Sequence, residues 1–355
     1  MLLHLFAVLV AASTAVLIFA GGLVTSTGSG LSVPDWPTTY GWNMFTFPLE
    51  KMVGGIRYEH THRLIASGVG LLIVILAGWL WKAEPRRWVQ RLGYVALAAV
   101  VTQGILGGIT VLWFLPAPVS IAHAGLAQLV FCLTVAIALV TSAGWKRAYA
   151  WDGATPAPAR DPMLQKVAIT ATALIYLQIL VGATMRHTDA GLAIPDFPLA
   201  FGQVIPPMWD ARIAVHFAHR VGALVVTVAI LAASGHALYH HWRRRELRRT
   251  SWLLLALLAV QITLGALTVL SGTQFIINSL HVVTGAMVLA TSLVLTLRAH
   301  RARAGSKDPA YGDSVDGRRA GPWTRRTGPA GANACRRRRT RRPSPGWAPR
   351  RTSSC

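Results

Sequence analysis

Four histidines, His62, His123, His219 and His281, each stand near the start of a long apolar run. The first two are 61 residues apart and the last two 62, with one apolar segment between the members of each pair. Imidazole is costly in hydrocarbon and is a regular axial ligand of haem iron. Two pairs at one depth therefore point to two bis-histidine haem sites. Glu59 precedes His62 by three residues and so shares its helix face, whereas the matching position in the second half is His216. An acid beside one pair and none beside the other suggests that the first half does chemistry and the second carries electrons. As a plain helix-start charge, Glu59 would instead be favoured by the helix dipole. Arg63 and Arg220 follow the histidines directly, which suits pairing with haem propionates or snorkelling to headgroups. His4, His236, His240, His241 and His300 have no repeat partner and read as polar helix ends.

The elements that must position these residues are membrane helices. The chain has 355 residues, 53% hydrophobic and 14% charged. Apolar segments of roughly 20 residues suffice for one bilayer crossing. They fall at about 3–25, 60–81, 92–114, 119–142, 163–185, 213–239, 251–270 and 279–299. The first lacks a basic leader and is too long for a signal-peptide core, so it reads as a retained span.

Three segments then repeat in order. Gly28–Pro37 (GSGLSVPDWP) matches Asp189–Pro198 (DAGLAIPDFP), Glu59–Arg63 matches His216–Arg220, and Gln103–Thr110 matches Gln261–Thr268. The repeat unit is four helices, and an even number makes the copies parallel, related by an axis along the membrane normal. The fold class expected is all-α integral membrane, with eight transmembrane helices in two pseudo-symmetric four-helix bundles. The divisions are 1–144, a linker at 145–162, 163–300 and a basic tail at 301–355. Small residues such as Gly68, Gly70, Gly125, Gly222 and Gly285 would let a flat macrocycle approach, or would serve plain helix packing. Gln103 and Gln261 face a bundle interior, where interhelical hydrogen bonding is the plainer role. Asp35 and Asp196 should fix the outer loops by local hydrogen bonds, with Trp36 and Phe197 seating those loops.

One set of connections holds twelve Lys and Arg residues and the other only Lys51, Arg57, Arg186 and Arg212. The positive-inside rule puts both termini in the cytoplasm and all four histidines toward the outside. The formal charge of +22 misleads about partners, because +12 of it lies in residues 301–355. A tail rich in Arg, Pro, Gly and Ser should be disordered. It would touch anionic headgroups or nucleic acid only non-specifically, so the bilayer is the expected neighbour and no specific nucleic acid is. The outer loops contain no cysteine, which excludes thiol redox chemistry there.

These motifs together resemble the haem A synthase family over about residues 1–300. The resemblance rests on the loop at 28–37, Glu59-x-x-His62-Arg63, His123, His216-x-x-His219-Arg220 and His281. It implies oxidation of the C8 methyl of haem O to a formyl group, giving haem A for cytochrome oxidase. It further implies substrate ligation by His62 and His123 in the first bundle, and haem b ligation by His219 and His281 in the second. Glu59 would be catalytic, and Arg63 and Arg220 would bind the haem groups. A bacterial inner (plasma) membrane location, and partnership with haem O synthase and cytochrome oxidase assembly, are implied as well. Many bacterial members carry an outer-loop cysteine pair, which is absent here. Two other classes compete: a di-haem, quinone-linked electron carrier would need the histidines but not Glu59, and a transporter would explain the duplication but not the histidines.

Overall fold

The computed structural model describes residues 1–149 and 161–301. Eight helices are long and apolar enough to cross a membrane: α1 (Leu2–Ser26), α2 (Gly54–Ala83), α3 (Arg87–Leu112), α4 (Ala117–Thr141), α6 (Pro162–His187), α7 (Ala211–His240), α8 (Arg245–Leu270) and α9 (Phe275–His300). The protein is a multi-pass membrane protein. The short helix α5 (Ala143–Tyr149) occupies the start of what the sequence reads as a linker, and the expected tail lies outside the described residues.

All eight expected spans are present, but the helices that carry the histidines begin before their apolar runs. Helix α2 starts within Gly54-Gly55-Ile56-Arg57-Tyr58, and α7 within Ala211-Arg212. Their first turns lie against the loops rather than in hydrocarbon, so polar residues there do not end the helix. His62 and His219 therefore sit eight residues past Gly54 and Ala211, and His123 and His281 six past Ala117 and Phe275. At 1.5 Å per residue these depths are about 12 Å and 9 Å. The histidines are roughly two turns inside their helices, not at the ends.

Helices α1 to α4 pack in a ring, each on its two chain neighbours with α4 closing on α1, and α6 to α9 do the same. Between the rings α1 meets α9, α4 meets α6, and α4 meets α9. Exchanging the halves turns the α1–α9 contact into the α6–α4 contact and leaves α4–α9 unchanged. That is the pattern expected of parallel repeats about an axis between α4 and α9. These two helices are the most enclosed, with 50% of the span buried in each against 11% in α8. The halves form one compact unit, so the division at 1–144 and 163–300 is one of repeats rather than of separate bodies.

Close approach across this seam uses small residues, the usual device where lipid offers no hydrophobic drive to associate. A Cβ on Gly125 of α4 would lie 2.8 Å from Leu180 Cδ2 of α6, and one on Gly22 of α1 would lie 3.2 Å from Ser279 Cβ of α9. Arg186, counted above with the outer loops, belongs to the last turn of α6. It donates to the Gly22 carbonyl (2.9 Å) and the Ser26 hydroxyl (2.6 Å) of α1. Removing it from the loop tally leaves the charge asymmetry larger.

The loops after α1 and α6 lie on one side and can be assigned by labelling. Val204 is 79% exposed in the second of them, and Arg243 is exposed between α7 and α8. With Cys335 and Cys355 replaced by Ser, Val204→Cys should react with an impermeant maleimide in intact cells. Arg243→Cys should react only after permeabilisation. The opposite pattern would reverse the orientation.

Candidate functional site

Each of the four histidines is half-buried and meets a glycine on the preceding transmembrane helix. A Cβ on Gly21 would fall 3.0 Å from His62 Cε1, one on Gly107 3.1 Å from His123, one on Gly182 2.9 Å from His219, and one on Gly265 3.0 Å from His281. Contacts this short leave no space for a methyl group, so the imidazole edge rests on bare helix backbone. The following residue is also small in every case: Gly22, Gly108, Ala183 and Ala266. Four residues before these glycines stand Gln103, Gln178 and Gln261, but Leu17 in α1. The Gln178 amide donates to the His219 carbonyl (2.7 Å) and lies 3.0 Å from its Nδ1. The Gln103 amide donates to the His123 carbonyl at 3.0 Å and meets its Nε2 at 3.4 Å, and the Gln261 amide lies 3.3 Å from Nε2 of His281. His62 has no such amide.

The members of each expected pair stand on helices of one ring, His62 on α2 and His123 on α4 in the first, His219 on α7 and His281 on α9 in the second. Of the glycines expected to flank a macrocycle, three meet side chains and two face open space. Gly125 faces α6, Gly222 faces Gln178, Gly285 faces Gln261, and Gly68 and Gly70 meet nothing within 4 Å. The Gly-small pair opposite each histidine was legible in the sequence as a fourth repeated segment, Gly21-Gly22 against Gly182-Ala183.

The donor set can be tested against haem. Nδ1 of His62, His123 and His281 is buried without a hydrogen-bond partner, as are the side-chain oxygens of Gln103 and Gln261. An unsatisfied buried group costs about 1–3 kcal/mol, so bare imidazoles are poorly provided for in this setting. Two imidazoles per bundle, backed by glycine, are the donors that an axially ligated haem requires. The residues fit the group.

The outer loops roof the two rings with one conformation used twice. Both contain a bridge, Thr39 to Trp42 and Ala200 to Gln203, enclosing a positive-φ aromatic residue and a glycine, Tyr40-Gly41 and Phe201-Gly202. Asp35 accepts from the amides of Tyr40 (2.8 Å) and Gly41 (2.9 Å) and from the Thr38 hydroxyl, and Asp196 accepts from Phe201 and Gly202, both at 2.8 Å. Partial burial works against the Asp35 charge, but these donors outweigh it and hold the carboxyl below its ordinary value; for Asp196 the Gly202 amide is the chief cause. Because folding depresses both, their contribution to loop stability is present above the ordinary pKa of 3.8 and fades as pH falls through the lower folded values. Trp36 lies flat on Gly108 of α3, where a Cβ would come within 2.7 Å of its Cδ2. The matching pair is Phe197 and Ala266, a smaller ring with a larger partner.

Arg63 and Arg220 both clamp these loops. Arg63 donates to the carbonyls of Asp35 (2.7 Å), Thr38 (3.0 Å) and Val33 (2.8 Å), and pairs with Glu59 Oε1 at 2.6 Å. Arg220 donates to the carbonyls of Leu199 (2.7 Å), Ile194 (3.1 Å) and Asp196 (2.6 Å). Every terminal N–H of Arg63 already has an acceptor in the loop or on Glu59, whereas Arg220 keeps a buried Nε–H without one. Glu59 is likewise buried and doubly engaged, accepting the Val33 amide at 2.8 Å with Oε2. In the second half His216 Nδ1 takes the equivalent amide, from Ile194, at 3.3 Å. One loop amide is thus received by a carboxylate and its twin by an imidazole.

The sequence profile of the COX15-CtaA family, described as cytochrome oxidase assembly protein, matches residues 4–293. The chain belongs to this family. Among similar COX15-CtaA relatives, one from Symbiobacterium thermophilum is 31% identical over 298 residues, covering 82% of this chain and 95% of its own. Another, from Geobacillus kaustophilus, is 29% identical over 84% of this chain and 92% of its own, and one from Halalkalibacterium halodurans is 27% identical over 85% and 98%. All three are named heme A synthase.

The two clamps differ in what they leave behind when cut. Arg63→Ala strands a buried carboxylate, a loss of about 3–5 kcal/mol. Arg220→Ala strands only carbonyls, about 1–3 kcal/mol. Thermal unfolding in detergent and protease cleavage of residues 27–53 against 188–210 should rank Arg63→Ala as the more damaging.

Proposed function

We propose that this protein is a haem A synthase, an oxidoreductase that converts the C8 methyl of haem O to a formyl group. The substrate is held by His62 and His123 in the first ring, and a haem b cofactor by His219 and His281 in the second. What carries the assignment is where the symmetry breaks. Two ring-lining positions differ in kind between the halves, Glu59 against His216 and Leu17 against Gln178, and both put the special chemistry in the first half. Gln178 orients His219, as a permanently held cofactor requires; His62, free of any amide, suits a ligand that must be exchanged at every turnover. The named relatives favour this reading over the di-haem electron carrier.

Bound between His219 and His281, haem b supplies one-electron transfer. The protein's own residues do the rest. The paired histidines orient the substrate macrocycle, and the glycines set how near each ring can stand to its helix. The loop at 33–38, fixed by Arg63 and Trp36, screens the outer end of the first ring from water. Glu59 is the acid there, and its Oε1 and Oε2 can take a proton as positive character builds at the reacting carbon. The reading places the protein in a bacterial plasma membrane with both termini cytoplasmic, acting after haem O synthase and before cytochrome oxidase assembly.

Purified protein should show a low-spin haem b spectrum. His219→Ala and His281→Ala should each abolish most of it, while His62→Ala leaves it largely in place. Full low-spin signal in both of the first two variants would remove the cofactor assignment.

Glu59→Gln separates chemistry from loop-holding, because the amide oxygen can still accept the Val33 N–H. Haem b content should stay near normal and loop 27–53 should remain more protease-resistant than in Arg63→Ala. Haem A formation should fall by about 100- to 10,000-fold, with haem O or a hydroxymethyl form accumulating. Near-normal haem A output would reduce Glu59 to a loop anchor.

A further inference from the structure

Away from the four haem-facing histidines, three side chains at the opposite end of the second ring converge on one point. Asp161 is the N-cap of α6, where its Oδ1 accepts the Leu164 amide at 2.9 Å. Its Oδ2 meets His236 Nε2 at 2.8 Å and His241 Nε2 at 2.7 Å. All three ligand-type atoms lie within 4.8 Å of one another, and among the described residues they are the group of three with metal-ligand character. The sequence reads both histidines as polar helix ends, since neither has a repeat partner. Folding nevertheless sets the last turns of α7 against the start of α6, and both imidazoles turn to the same oxygen.

We propose that Asp161, His236 and His241 form a binding site for a divalent transition-metal ion of the zinc type, clasping the start of α6 to the end of α7. Two imidazoles and a carboxylate are borderline donors suited to zinc and its first-row neighbours, not to calcium or magnesium. Zinc needs its nitrogen and oxygen ligands at about 2.0–2.2 Å, so the three atoms, already within 4.8 Å of one another, must part slightly to admit an ion between them. All three residues are half-buried, which screens the site from bulk water without sealing it. No Lys or Arg pairs with Asp161 among the described residues, so its charge is met there by imidazole alone. With the metal absent, a ring that carries its hydrogen on Nε2 donates it to the carboxylate. With the metal bound, that hydrogen moves to Nδ1 and the Nε2 lone pair goes to the ion, with no net change in proton count. The site is separate from the haem centres: His236 lies seventeen residues beyond His219 on α7, about 25 Å along the helix. His240 stands beside the cluster, its ring centroid 4.5 Å from that of His236.

The test uses full-length protein in detergent, purified without a histidine tag, stripped with EDTA and dialysed against buffered zinc. Zinc and iron are counted per chain by mass spectrometry. Wild type should take up one zinc saturably in the micromolar range. His236→Ala, His241→Ala and Asp161→Asn should each weaken binding tenfold or more, with haem iron unchanged. Asn remains a good N-cap, so Asp161→Asn removes the ligand without removing the helix start. Absence of saturable zinc in wild type, or wild-type affinity in the three variants, would overturn the proposal.

Discussion

An imidazole two turns inside a membrane helix needs both room and a partner, and the fold is organised around supplying them four times. Room comes from a glycine on the preceding helix, which lets the ring edge reach backbone at about van der Waals distance. That contact requires the two helices to run close at this level, so the small residue following each glycine matters as well. The consequence is local rigidity: the ring is held edge-on between helices and can swing little. Pairing the rings across each bundle then makes a donor set whose geometry is fixed by helix packing rather than by loops. Sites built on helices hold their ligands more closely than sites built on loops.

The outer loops carry the second constraint. Both copies use one turn, one aspartate that gathers its amides and one arginine that gathers its carbonyls. Such a loop satisfies its own backbone at the membrane surface, where a lost partner would be costly. The arrangement also explains why Glu59 and His216 occupy equivalent positions. Each receives the amide that the loop presents to the helix, so the position is structural before it is chemical. Divergence there was possible because a carboxylate and an imidazole can both accept that hydrogen bond. Only the carboxylate also answers the neighbouring arginine, and only it adds negative charge above the first ring. A site that must promote oxidation at a carbon has use for that charge; a site that relays electrons has none.

Much of this was legible in the sequence, and the reasons for the rest are physical. The eight spans were readable because hydrocarbon demands long apolar runs. The duplication was readable because loop and histidine motifs recur in order. Helix starts were missed by four to six residues at α2, α3, α8 and α9, since these helices begin in polar or mixed turns ahead of the apolar run. The loop contacts of Arg63 and Arg220 were not legible, because a guanidinium suits carboxylates and carbonyls alike and only folding brings the loop carbonyls to it. The glycines opposite the histidines were overlooked although their repetition was visible, because a glycine in a membrane helix usually signals packing and nothing in its own sequence names the ring it faces. Asp161, His236 and His241 were unreadable as a group, being far apart in the chain and joined only by the meeting of two helix ends.

Symmetry and its breaking also decide how the two sites communicate. Each pair has a peripheral member, His62 on α2 or His219 on α7, and a central member, His123 on α4 or His281 on α9. The peripheral helices pack chiefly on their own ring. The central helices pack on each other and are the most enclosed of the eight. The last turn of α6 adds to this seam, with Arg186 bonded to Gly22 and Ser26 of α1. One ligand from each pair is therefore built into the interface that joins the halves, and the other is free to differ. Two positions that differ, Glu59 against His216 and Leu17 against Gln178, lie beside the peripheral histidines. On the proposed reading, duplication kept the seam between the halves while the side of the first bundle away from it was altered for chemistry.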